Sequence, residues 1–289
     1  MRKKITFPFI SMVLLICFSM TMFTGCGGKK KSTLEPSEIG TDKELFDKAN
    51  SKVKRDPEKA RMLYKEIMHL YPDSIYSRRA KIGIADSYYK EGDSSSLIIA
   101  ANEYEEYVNL YPNSPDSIYA KFQVSQCYFR QMKKPGRDQT NTHLAIKALE
   151  SMIQLYPDTK EAETARKNLE KARLNLAFHY FEIGKSNYII RAAKGAINRF
   201  KQVMDEYPEY PDKAKLFYYT GMSYFRLGEF ENAISFFQKI INTYPQTKYG
   251  KKAQKMLPKV AEYQKKYPQK PQPPEPKTEE KEEGDNEGQ

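Results

Sequence analysis

The chain has 289 residues, with 48 lysines and arginines against 37 aspartates and glutamates, for a formal net charge of +11. Its cysteines are Cys17, Cys26 and Cys127, too few for a disulfide framework, and redox chemistry is not expected. The positive charge is spread along the chain rather than clustered with aromatics, so it reads as solvated surface biased toward an anionic membrane or acidic partner, and not as a nucleic-acid face.

Residues 1–25 have the form of a signal peptide. Arg2, Lys3 and Lys4 precede an apolar run from Ile10 to Phe23, and Thr24-Gly25-Cys26 follows. The run is short of the roughly 20 apolar residues that a membrane span needs. The small residues before Cys26 resemble a bacterial lipobox, where the signal is cut and the cysteine acylated; two acyl chains suffice for a stable anchor. Gly27 follows the cysteine; in the lipoproteins that this segment resembles, an Asp there retains the protein at the inner membrane in some bacteria, so the resemblance implies an outer-membrane address. Residues 26–40, the lipidated cysteine and Gly27 to Gly40, have linker composition.

Residues 41–267 are organised by one phrase, Ala, a large residue four positions on, then Tyr-Pro. It occurs as Ala60, Tyr64, Tyr71-Pro72; Ala100, Tyr104, Tyr111-Pro112; Ala145, Leu149, Tyr156-Pro157; Ala196, Phe200, Tyr207-Pro208; and Ala233, Phe237, Tyr244-Pro245. Ala and the large residue share a helix face, the small one admitting a neighbouring helix and the large one filling the space beside it. Proline ends the helix, having no N–H to donate and restricting the residue before it. Ahead of the fifth phrase, Phe217, Thr220-Gly221 and Tyr224, then Gly228, match the spacing of a tetratricopeptide repeat. The predicted fold is an all-α superhelical solenoid of five tetratricopeptide hairpins plus a carboxy-terminal capping helix over 248–267. A cap is needed because the last repeat would otherwise expose an apolar face, and Pro258 is expected to kink or interrupt it. Residues 268–289 read as a disordered tail rich in Pro and Glu, with three lysines against seven acids after Pro268.

Catalytic patterns are missing. His69, His143 and His179 have no metal-ligand spacing, and no phosphate-binding loop, nucleophile elbow or zincin motif occurs. Glu105 and Glu106 read as solvated helix positions. The chain is therefore expected to be a non-enzymatic binding scaffold, with no metal and no cofactor beyond the covalent lipid on Cys26. Cys127 reads as a small buried thiol.

The first helix of hairpins two to five carries an aromatic pair, Tyr88-Tyr89, Tyr128-Phe129, Tyr180-Phe181 and Tyr224-Phe225, while the first hairpin breaks the series with Lys52. Neighbours on a helix diverge by about 100°, so the two members cannot face the same partner. Either all are core, or Tyr89 and Phe129, with Ile82, Phe122, Lys90 and Arg130, form a groove for an extended peptide. Such a groove would pair apolar pockets with cations able to meet a terminal carboxylate.

With its lipobox and five irregular hairpins, the chain resembles the BamD (ComL/YfiO) family of outer-membrane barrel-assembly lipoproteins over about residues 42–250. The resemblance rests on Gly136-Arg137-Asp138-Gln139 with Leu144-Ala145, and on Ala196-Ile197-Asn198-Arg199-Phe200 with Tyr207-Pro208. It implies a scaffold at the periplasmic face of the outer membrane that helps insert β-barrel proteins. The implied partners are a BamA-like barrel protein, unfolded outer-membrane protein substrates and further accessory lipoproteins. Carried over by position, Arg199 with Asn198 is the candidate contact to the BamA-like subunit, while Arg137 and Asp138 are expected to fix the loop of the third hairpin. The alternatives are another lipid-anchored repeat protein, serving a type IV pilus secretin or coordinating division, and a peptidoglycan-associated scaffold.

Overall fold

A computed structural model describes residues 40–268. The expected signal peptide, Cys26, the linker up to residue 39 and the tail from residue 269 lie outside the described residues. Among the described residues there are eleven helices and no strand: α1 (Asp42–Lys52), α2 (Pro57–Leu70), α3 (Ile75–Glu91), α4 (Ser94–Leu110), α5 (Asp116–Arg130), α6 (Thr140–Leu155), α7 (Lys160–Ile189), α8 (Ala193–Glu206), α9 (Lys213–Leu227), α10 (Phe230–Thr243) and α11 (Lys248–Lys266). Successive pairs form five antiparallel hairpins, and α11 packs on the fifth. This is an α solenoid of the tetratricopeptide type. No described helix is long and apolar enough to cross a membrane.

The repeated phrase is the inner surface of the second helix of each hairpin. Ala60, Ala100, Ala145, Ala196 and Ala233 are completely buried, and Tyr64, Tyr104, Leu149, Phe200 and Phe237 expose 1% or less. Full burial of an apolar side chain of that size stabilises by about 1.5–3 kcal/mol, so these positions dominate each hairpin's packing. The first three hairpins centre on separate buried clusters. The fourth, fifth and the cap share one that runs from Leu176 to Val260.

The Tyr-Pro stops are six copies of one backbone geometry. Tyr71, Tyr111, Tyr156, Tyr207, Tyr244 and Tyr267 have φ between −135° and −128° and ψ between 46° and 69°, outside the helical region that a following proline disfavours. In the turn that follows, the N–H of Ser74, Ser114, Thr159, Tyr210 and Thr247 donates back to that tyrosine's carbonyl. The hydroxyls of Ser74, Thr159 and Thr247 then accept an N–H of the next helix, satisfying groups a helix start leaves open. One short word thus ends one helix and starts the next.

The uneven spacing of the phrase has two physical sources. A nine-residue connection between α5 and α6 lengthens the third hairpin. The fourth is opened by α7, whose 30 residues make a rod of about 45 Å. Gly92 and Gly228 end α3 and α9 in the left-handed conformation, with φ of 75° and 80°, as glycine permits. Gly184, the matching glycine of the fourth hairpin, instead lies inside α7.

Pro258 does not interrupt the cap: α11 runs unbroken from Lys248 to Lys266. The N–H that proline lacks would have bonded the carbonyl of Gln254. Gln254 and Pro258 are both exposed, so water can take that carbonyl. Cys127 is fully buried and unpaired, and burial pushes its thiol up to about 12.

Candidate functional site

The first helices of hairpins one to three frame a cleft of about 390 Å³. Phe46 and Asn50 on α1, Ile82, Asp86 and Lys90 on α3, and Tyr119 on α5 line it, with Arg79 and Asp116 at the side. Arg79, Gly83, Asp86 and Lys90 fall on one stripe of α3, three or four residues apart. At the centre, the Asp86 carboxylate accepts from the hydroxyls of Tyr104 at 2.5 Å and Tyr119 at 2.7 Å. Burial first, and then the charge of Asp86, raise both phenols far above their ordinary value, so they stay protonated and donate. Tyr64, pushed up to about 12 by burial and then by Asp86, donates to Asn50 Oδ1 at 2.6 Å. The result is a hydrogen-bonded polar floor with Phe46 and Ile82 as apolar lining and Arg79 and Lys90 as cations.

This cleft is not the groove that the aromatic pairs suggested. Only Ile82 and Lys90 of the six expected residues line it. Tyr89 lies seven residues after Ile82, on the stripe turned toward the second hairpin's cluster. The guanidinium of Arg130 covers its ring at 4.5 Å and donates to its carbonyl at 2.8 Å. Phe122 and Phe129, also seven apart, pack against the third hairpin's buried cluster of Ala145, Leu149 and Met152. The aromatic residues expected to form a groove, Tyr89, Phe122 and Phe129, are instead half-buried parts of the second and third hairpins' packing, and the exposed Arg130 is engaged by Tyr89 rather than free to meet a carboxylate.

The two aromatic series do not divide into core and surface either. Phe181 is fully buried beside a half-buried Tyr180, whereas in the fifth hairpin Tyr224 is buried and Phe225 is half-buried against Phe230 and Tyr263.

The connection between α5 and α6 is clamped chiefly by Gln139, Asn175 and His179, while of the expected pair Asp138 bonds only the start of α6 and Arg137 gives its backbone alone. Gln139 Nε2 donates to the carbonyls of Lys134 and Arg137, both at 2.9 Å, while its Oε1 accepts from Thr142 and Asn175, both at 2.8 Å. From α7, Asn175 also donates to the carbonyl of Lys133, and His179 Nδ1 lies 2.6 Å from that of Pro135. Just before α6, Asp138 Oδ1 accepts from the N–H and the hydroxyl of Thr140, and the hydroxyl contact and then the N–H lower its carboxyl pKa. Arg137 contributes its backbone and its side chain is exposed.

On α8, Asn198 and Arg199 are exposed between buried Ile197 and Phe200. Arg199 is held at the surface by Gln202, at 2.7 Å, and lies 5.6 Å above the ring of Tyr180. A cavity of about 370 Å³ that sequence reasoning missed opens between α7 and the turn after α8, walled by Leu169, Leu174, Tyr207 and Tyr210 and rimmed by Arg166 and Arg173. Its signal was the second Tyr-Pro of that turn, Tyr210-Pro211, which has no counterpart in the other repeats.

Residues 39–233 match the profile of the YfiO family, described as outer membrane lipoprotein. The outer membrane protein assembly factor BamD of Rickettsia prowazekii (strain Madrid E) is 28% identical over 112 residues, which cover 39% of this chain and 45% of that protein. The match thus spans a little under half of that relative's length. Among solved structures, the complex of the TPR2AB domain of yeast Sti1 with pHSP90 is 15% identical, with a TM-score of 0.40, covering 78% of this chain and 87% of that one. A tetratricopeptide repeat protein from Parabacteroides merdae ATCC 43184 is 16% identical with a TM-score of 0.35, covering 80% and 76%.

Proposed function

The chain belongs to the YfiO family of outer membrane lipoproteins, and on that premise we propose that it is a non-enzymatic scaffold of outer-membrane β-barrel assembly, tethered through a lipid on Cys26 and facing the periplasm. The observation that carries the reading is the family match over residues 39–233, which takes in the amino-terminal cleft and the exposed Asn198-Arg199 pair together.

The two regions suit different tasks. The cleft receives an extended segment of an unfolded barrel protein: Phe46 and Ile82 offer apolar contact, Asp86 and the tyrosine hydroxyls are fixed polar partners, and Lys90 and Arg79 are cations for a carboxylate. Mixed chemistry on a preformed surface favours binding and release over permanent capture. The α8 surface offers Arg199, whose planar guanidinium can meet a carboxylate in two-point fashion, to a folded BamA-like partner. Neighbouring Ile197 and Phe200 are locked in the core, so the pair is presented on a rigid helix.

A photoreactive amino acid placed at Asn198 in the full chain tests the second assignment in cells. Crosslinks to a large outer-membrane barrel protein are expected. Crosslinks only to murein-associated or secretin proteins would contradict it.

A further inference from the structure

The cap helix carries seven lysines and one acid, Glu262, in nineteen residues. Ala253 and Val260 bury one side of it. Lys248, Lys251, Lys252, Lys255, Lys259 and Lys266 fall together on the opposite side at spacings of three, four and seven residues, and all are exposed. Among the described residues, none of the ion pairs involves α11. Such a stripe is unfavourable by itself. Like charges at i,i+4, here Lys248 and Lys252, Lys251 and Lys255, and Lys255 and Lys259, repel on a helix surface. The first turn holds lysine and no acid, the reverse of what the helix dipole favours. An anionic cover would relieve this repulsion.

We infer that the cover is the chain's own carboxy-terminal segment: residues 275–287, which hold the seven acids of the tail, dock along the lysine stripe of α11. Charge complementarity is the first argument, since the most basic helix is followed directly by the most acidic segment. Reach is the second. Seven residues, four of them prolines, separate Tyr267 from Glu275. A spacer of that kind extends about 22 Å at about 3.1 Å per residue, and the 13-residue acidic stretch spans up to about 45 Å. The helix is about 28 Å long, so the segment can return over its whole length. Tethering is the third. Exposed ion pairs are individually weak, but a short linker holds the segment at an effective concentration on the order of millimolar. The contact makes the basic end of the solenoid available to other anions only when the tail is displaced.

The test is carbodiimide crosslinking of the full chain purified in detergent, with nitrogen-15-labelled and unlabelled molecules mixed to separate contacts within a molecule from those between molecules. Lysine-to-glutamate links within one molecule, concentrated between 248–266 and 275–287, are expected at about 0.05 M salt and should fall several-fold at about 0.5 M. Lys251→Glu with Lys255→Glu and Lys259→Glu should abolish them while leaving helical content unchanged. Links scattered over the whole basic body, links between molecules only, or no links would overturn the proposal. Vesicles containing phosphatidylglycerol supply the second arm. A chain ending at Pro268 should bind them several-fold more tightly than the full chain, whereas equal binding, lost in the triple variant, would make the membrane the occupant and overturn the tail.

Discussion

The ring of Phe200 fills the space that a side chain at Gly184 would need: a Cβ there would sit 2.6 Å from Phe200 Cε1 and 2.8 Å from Cδ1. Phe200 is fully buried and cannot move aside. Alanine in place of a mid-helix glycine normally gains about 1 kcal/mol, but overpacking a buried contact costs about 1–3 kcal/mol. Gly184→Ala is therefore expected to destabilise by up to about 2 kcal/mol in urea unfolding, in place of the gain of about 1 kcal/mol that helix propensity predicts.

The clamp on the connection before α6 predicts a local effect. Gln139→Ala removes four hydrogen bonds around a buried amide and leaves Asn175 and Thr142 short of a partner, a loss of about 1–3 kcal/mol. Hydrogen exchange of residues 131–142 should accelerate in this variant, whereas Arg137→Ala should leave it unchanged.

A third expectation concerns pH. Burial raises Cys127 from 9.0 to about 12, and raises Tyr64 and Tyr207 from 10.0 to about 12. A folded-state value above the unfolded one means that the native state holds the proton more tightly. The stabilisation is thus fully present below pH 9 and is lost as pH rises from 9 toward 12. Cys127→Ala should flatten part of that loss, on the order of a few kcal/mol by pH 12. At pH 8 the native thiol should resist a disulfide reagent that labels it at once in denaturant.

Pro258 supplies a fourth. The helix tolerates it because Gln254 faces water, yet it still lacks one hydrogen bond and carries the ring's steric cost. Pro258→Ala should stabilise the cap by up to about 3 kcal/mol, read as a higher thermal midpoint.

These cases mark where the sequence was legible. A phrase repeated at fixed spacing identified every second helix and every stop, because a buried Ala-aromatic pair and a proline act through local geometry. The continuous α7 was not legible, since Gly184 looks like Gly92 and Gly228 until Phe200 is seen against it. The cleft was misread for a related reason. Ile82 and Tyr89 share a stripe, but which stripe of α3 faces the next hairpin is set by tertiary packing, and the polar stripe through Asp86 carried no repeat signal. Gln139 stood inside a quoted motif, but its role depends on Asn175, 36 residues away.

The most direct test of the proposed scaffold role is a mild-detergent pulldown of the tagged full chain from its own membranes, in wild-type form and as Arg199→Glu. The account predicts a large outer-membrane barrel protein with periplasmic domains in the wild-type sample and a strong loss of it in the variant, with helical content unchanged. Equal recovery by both forms, or recovery of secretin, division or murein-associated proteins in its place, would contradict it.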